Sequence, residues 1–166
     1  MPDALSKGIL KVNSTRFGEL EVNRSALIFI ASGIIGFPKS QRFLLLDYNP
    51  PFSWLQSADQ AELAFVVVNG AEFGDNYKFD LPIGDKDLDI QPDDECAVLN
   101  LVSARPVLEE TTVNLKAPII VNLRTRRGRQ IILDDSNFPI RFQLWTKATS
   151  ETGSNPVPSQ PTPKEK

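Results

Sequence analysis

The sequence predicts an all-β protein: a small antiparallel β-barrel-like domain with one or two short helical turns. Short apolar runs rich in β-branched residues and Phe alternate with turn residues over the first 147 positions. No stretch carries an apolar stripe at helical spacing over 12 residues. The runs number eight to nine, which is typical of a small barrel or sandwich.

Each predicted strand is an apolar run bounded by turn-forming residues. The first, FGELEV, alternates with period two, as expected for a half-buried strand. The last two runs flank the loop RTRRG, whose glycine can adopt positive φ, so residues 119–133 are predicted to form a hairpin. The predicted strands are residues 17–22, 27–30, 43–47, 53–56, 63–68, 96–103, 111–116, 119–123 and 129–133.

Helical signals are confined to two short stretches. Ser57 and Gln60 have the spacing of a capping box, which predicts one turn at 58–62. Residues 85–90 form a second candidate turn, which would end before Pro92. Neither stretch is long enough for an independent helix.

A change in composition predicts the domain organisation. Residues 148–166 are rich in Pro, Ser and Thr, and four of the chain's 13 prolines fall in the last 11 positions. Such a segment cannot bury enough apolar surface to offset its ordering entropy. We therefore expect a folded domain over 1–147 and a disordered tail over 148–166.

Composition also limits the function. The 166 residues include no histidine and one cysteine, Cys96. This excludes Ser-His-Asp catalysis, His-dependent zinc sites and an internal disulfide. The sequence thus predicts no enzyme activity, no cofactor and no metal. No apolar run approaches the ~20 residues of a membrane helix and no signal peptide is recognisable, so we expect a cytoplasmic protein without membrane contact.

Charge is distributed unevenly along the chain. Residues 72–110 carry eleven acidic and three basic side chains, a local charge of −8. Residues 111–129 carry five basic side chains and no acidic one, a local charge of +5. The net charge of −3 therefore predicts a dipolar molecule.

Two charged stretches suggest specific chemistry. Asp85, Asp87 and Asp89 have the spacing of the start of a calcium loop, but Ile90 and Cys96 stand where the loop needs Gly and Glu. The basic loop Arg124–Arg129 could contact phosphates, which makes a nucleic-acid-binding β-barrel the alternative function. No aromatic residue lies among these arginines to stack on bases, so we expect no direct contact with nucleic acid.

Seven stretches of the chain form a pattern of motifs in a fixed order: TRFGELEV (15–22), GIIGF (33–37), RFLLL (42–46), PFSWLQS (51–57), LAFVVV (63–68), NLKAPIIVN (114–122) and TRRGRQIIL (125–133). In their order and spacing, these motifs resemble the FliW family of bacterial flagellar assembly factors. The chain differs from the usual family pattern at Ile34-Ile35, Pro38 and Leu123, where the family has Leu-Pro, an acidic residue and proline.

The resemblance implies a non-catalytic β-barrel that acts in the cytoplasm through protein partners. Members of the family bind the C-terminal region of flagellin. They also bind the RNA-binding translational regulator CsrA and relieve its repression of flagellin mRNA. The two partners compete, which makes the system a switch governed by mass action. We expect the protein to be a monomer when it is free of both.

Two sets of residues are predicted to form the partner sites. Flagellin's terminal helix needs an apolar receptor, and apolar residues in glycine-rich loops are candidates because such loops are exposed. An acidic segment beside the RNA-binding face of CsrA would repel phosphates over about 8–10 Å. The flagellin candidates are Ile34, Ile35 and Phe37, followed by Phe73 and Tyr77, and the CsrA candidates are Glu72, Asp75, Asp85, Asp87 and Asp89.

Overall fold

A computed structural model of the protein describes residues 8–134 and 136–144, which contain eleven β-strands. The predicted tail, 148–166, and both ends of the predicted domain, 1–7 and 145–147, lie outside the described residues. The strands are β1 (Ile9–Ser14), β2 (Gly18–Asn23), β3 (Ile28–Ile30), β4 (Arg42–Asp47), β5 (Phe52–Ser57), β6 (Ala64–Asn69), β7 (Cys96–Ser103), β8 (Thr112–Val113), β9 (Ile119–Asn122), β10 (Arg127–Gln130) and β11 (Phe142–Gln143).

Seven of these strands form a closed barrel. The order is β7-β6-β5-β4-β3-β10-β9, and β9 pairs back with β7 to complete the ring. The long strand β7 makes this possible, because residues 96–99 pair with β9 while Val102 and Ser103 pair with β8. The all-β, barrel-like prediction is confirmed. One junction differs from an antiparallel barrel, since β10 and β3 run parallel.

Strand alternation divides the apolar residues between the inside and the outside of the barrel. Phe43, Leu55 and Val67 are fully buried in the interior cluster. Trp54 and Val66 point the other way, and that outer cluster is covered by the segments around Phe73 and Phe138. A third cluster places Leu88 over the outer face of β9. The wall is therefore covered on the outside by segments that belong to no barrel strand.

The β1–β2 hairpin is a separate two-stranded sheet. Val12 is buried, and the Ser14 hydroxyl donates to Gln56 Oε1 at 2.7 Å, which fixes the hairpin to β5. Sequence reasoning missed β1, although Leu10 and Val12 alternate with polar neighbours. The hairpin at 119–133 is confirmed as β9 and β10, with β10 beginning two residues earlier than predicted.

The helical predictions were only partly right. The Ser57 hydroxyl accepts from the N–H groups of Asp59 and Gln60, but the result is a turn without a helix. Residues 85–90 contain one turn closed by a bond from Asp89 N–H to Asp85 O. The observed 3₁₀ helices lie elsewhere, at Arg24–Ala26, Gly70–Asn76 and Leu108–Glu110. None of the described helices is long and apolar enough to span a bilayer.

Candidate partner-binding surfaces

The apolar loop between β3 and β4, residues 31–40, lies at one end of the barrel. Gly33 and Gly36 both have positive φ, at 71° and 94°, which lets the chain reverse direction there. Phe37 N–H donates to Ile34 O at 2.6 Å and closes the turn. The loop therefore projects Ile35 outward at its tip.

Burial separates the two adjacent isoleucines. Ile34 is 1% exposed and belongs to the interior core, so the expectation that it is exposed was wrong. Ile35 is 60% exposed and Phe37 is 41% exposed. The Phe37 ring packs edge-to-face on Phe65, with ring centroids 5.2 Å apart. Together Ile35 and Phe37 form what we call the apolar tip.

The apolar tip is held in place by a residue that sequence reasoning missed. Gln130 Oε1 accepts from Ile35 N–H at 2.8 Å, while Gln130 Nε2 donates to Ala117 O at 3.0 Å. No local signal could reveal this contact, because 95 positions separate Gln130 from Ile35. The loop presents a defined shape, which lowers the ordering cost of binding a partner.

Gly33 should be the most sensitive glycine of this loop. A Cβ there would lie 2.7 Å from Phe37 O and 2.8 Å from Pro38 Cα, at a φ that side chains rarely adopt. We expect Gly33→Ala to reduce the free energy of unfolding by about 2 kcal/mol, measured by urea denaturation. Gly84→Ala is the matched control, since its Cβ would meet open space. Equal midpoints for the two variants would contradict this assignment.

Phe73 and Tyr77, the second-choice candidates for the flagellin site, do not form an exposed groove. Tyr77 is 7% exposed, and its hydroxyl donates to Leu115 O and accepts from Asn100 Nδ2. Burial raises the pKa of Tyr77 to about 12. Phe73 is half-buried, with its ring against those of Tyr77 and Phe142. The expectation of exposure was wrong for Tyr77, because these rings cover the outer wall of the barrel.

The acidic segment, which we define as residues 85–94, and the basic loop, residues 124–129, lie together, which corrects the prediction of a dipolar molecule. Arg129 bridges Asp85 and Asp87, at 3.2 and 3.0 Å. Arg124 bridges Asp89 and Asp94, at 3.3 and 2.8 Å. The two arginines neutralise half of this charge, and four carboxylates against two guanidinium groups leave the cluster net negative.

Exposure divides the four carboxylates into an inner and an outer pair. The inner side chains, Asp85 and Asp94, are 16% and 6% exposed, whereas the outer ones, Asp87 and Asp89, are 48% and 52% exposed. Only the outer pair presents its charge to solvent. Glu72 and Asp75 are also exposed, but they lie on the 3₁₀ helix at Gly70–Asn76.

Asp94 fixes the acidic segment to the barrel. Arg124 Nε donates to its Oδ1, Gln91 N–H donates to its Oδ2, and Asn122 Nδ2 donates to the same oxygen at 3.0 Å. The hydrogen bond from Arg124 is the main cause that lowers the pKa of Asp94 to about 2. Asn122 also donates to Leu88 O. The charged form of Asp94 is thus stabilised in the folded protein.

Stability should therefore depend on acid pH through Asp94. Because the folded pKa is below the ordinary value of 3.8, this contribution is present above pH 3.8 and is lost as pH falls toward about 2. We expect the urea midpoint of the wild type to fall across this window and Asp94→Asn to remove part of that slope. Asp93→Asn, a change at an exposed neighbour, should keep the wild-type slope. Identical slopes for the wild type and Asp94→Asn would refute the assignment.

Of the remaining arginines of the basic loop, Arg126 is half-buried and Arg127 is exposed. Arg126 donates from Nη2 to Ala26 O at 2.9 Å, and Arg124 and Arg129 are engaged as above. The ion pairs of the described residues do not include Arg127. Three of the four arginines, Arg124, Arg126 and Arg129, are therefore engaged by the protein itself, which argues against the alternative of a loop that binds phosphates. Within the described residues, no three His, Cys, Asp or Glu side chains are grouped to hold a metal ion.

The fold and its surfaces define the class: a small closed β-barrel protein with an apolar tip at one end and an acidic segment on its wall. Comparison with known proteins gives the particular family. The model of the FliW protein family matches residues 11–144, and the chain belongs to this family.

Individual relatives agree with this assignment. The flagellar assembly factor FliW of Caldicellulosiruptor saccharolyticus is 39% identical over 84% of this chain and 93% of its own length. That of an Exiguobacterium species is 40% identical over 80% of this chain and 93% of its own length. A crystal structure of the flagellar assembly factor FliW aligns with a TM-score of 0.75 and 28% identity, and covers 83% of this chain and 99% of that one.

Proposed function

We propose that this protein is a cytoplasmic flagellar assembly factor that binds flagellin and antagonises CsrA, relieving repression of flagellin mRNA. The observation that carries the proposal is the family match over residues 11–144, with relatives named flagellar assembly factor. The barrel supports it with two surfaces of different chemistry. We expect the free protein to be a monomer, which sedimentation would test.

The apolar tip is the proposed flagellin site. Ile35 and Phe37 are exposed apolar side chains on a loop whose backbone is held by Gln130. An amphipathic helix buries its apolar face on such a surface. A preorganised anchor loses little conformational freedom when the helix binds. The C-terminal region of flagellin is the proposed occupant.

The acidic segment is the proposed CsrA-facing surface. A regulator that binds RNA presents basic groups to phosphate. Carboxylates lodged beside that face would repel RNA without occupying its site. Asp87 and Asp89 are the members of the cluster that face solvent, and Glu72 and Asp75 add exposed charge on the preceding segment.

Strand β10 supports both surfaces. Arg129 of β10 holds Asp85 and Asp87, and the next residue, Gln130, holds the backbone of Ile35. Adjacent residues of a strand point to opposite faces, so one short stretch fixes both partner sites. This shared support favours the proposal that one partner hinders the other.

Calorimetric titration of the purified protein with the C-terminal region of flagellin and, separately, with CsrA tests the proposal. We expect a saturable complex with each partner. A protein that binds neither at concentrations up to about 100 μM would contradict the proposal, since such a Kd corresponds to only about −5.5 kcal/mol.

A further inference from the structure

Most of the outer wall of the barrel is covered, but one stretch is open. Trp54, Val66 and Ile120 face outward and are buried beneath other segments. Phe29, the outward residue of β3, is 43% exposed, while its neighbours Ile28 and Ile30 are buried in the core. This phenyl ring is the exposed apolar centre of the open stretch.

Two arginines flank this ring in register. Phe29 pairs with Arg127 of β10 on one side and with Arg42 of β4 on the other. Paired residues on neighbouring strands point to the same face, about 5 Å apart, so the two arginine Cα atoms lie about 10 Å apart. Arg42 is positioned by Asp59, whose Oδ1 lies 2.8 Å from its Nε.

We propose that the row Arg127–Phe29–Arg42 is a docking surface for an acidic helical segment of a protein partner. Aromatic residues and arginine are the side chains that dominate binding energy at protein interfaces. The complementary partner carries an apolar side chain between two carboxylates. On a helix, residues i and i+7 are about 10 Å apart, with i+3 and i+4 between them on the same face. This spacing matches the row.

Nucleic acid fits the surface less well than an acidic helix. Arg127 lies opposite Asn122, which donates to Asp94, so the acidic segment borders the row on that side. A phosphate backbone repeats its charge along its whole length and would meet these carboxylates. A short helix needs negative charge only at the two arginines.

The test uses synthetic peptides and fluorescence anisotropy. The probe is an alanine-based helix with Glu at i and i+7 and Leu at i+3 and i+4, and the control probe has Gln in place of both Glu. We expect the Glu probe to bind at least about tenfold more tightly than the Gln probe. Phe29→Ala should weaken binding about tenfold and Arg127→Gln about fivefold.

Matched variants elsewhere on the surface complete the test. Phe142→Ala removes a phenyl ring that is 39% exposed, and Arg105→Gln removes an exposed charge; both should bind the probe as the wild type does. Unchanged binding by Phe29→Ala and Arg127→Gln, or no binding of the Glu probe up to about 1 mM, would overturn the proposal. Binding of oligouridine without binding of the peptide would overturn it in favour of nucleic acid. None of these outcomes depends on flagellin or CsrA.

Discussion

The Ile35→Asp variant is expected to lose affinity for flagellin by on the order of 100-fold while it remains folded. Ile35 is 60% exposed and contacts Gln130 through its backbone N–H, so the substitution disturbs neither the core nor the loop anchor. In the complex, however, it would place a carboxylate against an apolar helix face. Such burial costs about 2–3 kcal/mol, which corresponds to the expected loss. Titration calorimetry with the C-terminal region of flagellin measures it.

Ile132 provides the matched control for this experiment. It is 52% exposed and lines a different groove, beside Phe79, Pro82 and Phe138. Ile132→Asp introduces the same charge at a similar exposure and should bind flagellin normally. If Ile132→Asp loses affinity and Ile35→Asp does not, flagellin occupies that groove and the apolar tip is not its site. Circular dichroism should show the native β signal for both variants.

The double variant Asp87→Asn/Asp89→Asn is expected to bind CsrA but to displace RNA less effectively. In water, two unit charges about 10 Å apart interact by about 0.4 kcal/mol, so removal of both carboxylate charges weakens the repulsion of RNA by about 0.8 kcal/mol. We therefore expect the variant to need a concentration about fourfold higher than the wild type for the same displacement of RNA. The inner carboxylates still hold both arginines. Asn is the suitable replacement at Asp89, whose φ of 48° lies in the left-handed region that Asn tolerates. Anisotropy of labelled RNA on CsrA measures displacement.

Salt and a second charge pair distinguish this effect from a general loss of charge. The difference between variant and wild type should shrink as salt is raised toward about 0.5 M, because screening shortens the range of the repulsion. Glu19→Gln/Glu21→Gln removes two exposed charges from the β1–β2 hairpin and should leave displacement unchanged. A salt-independent effect, or an equal effect of the hairpin pair, would contradict the electrostatic account.

Much of the barrel could be predicted from local pattern. The run at 96–103 is strand β7 to the residue, and valine and leucine fill four of its eight positions. Of the strand predicted at 111–116, only Thr112–Val113 forms a strand in the structure. From Asn114 onward the chain turns, since the Asn114 side chain accepts from the N–H groups of Lys116 and Ala117. A side chain that bonds its own backbone competes with strand pairing.

The sites were less predictable because they depend on contacts that are distant in sequence. Ile34 and Ile35 have the same chemistry, and only the turn between Gly33 and Gly36 decides which of them is buried. The pairing of Arg124 and Arg129 with aspartates about 30–40 residues earlier converts two opposite local charges into one cluster. Local charge counts cannot reveal such neutralisation.

A single titration tests the central claim that flagellin and CsrA use this protein in competition. Labelled RNA is bound to CsrA, the protein is added, and flagellin is then added to the same sample. The anisotropy of the RNA should fall on the first addition and recover on the second, because flagellin withdraws the protein from CsrA. RNA that stays bound after the first addition, or stays displaced after excess flagellin, would contradict it.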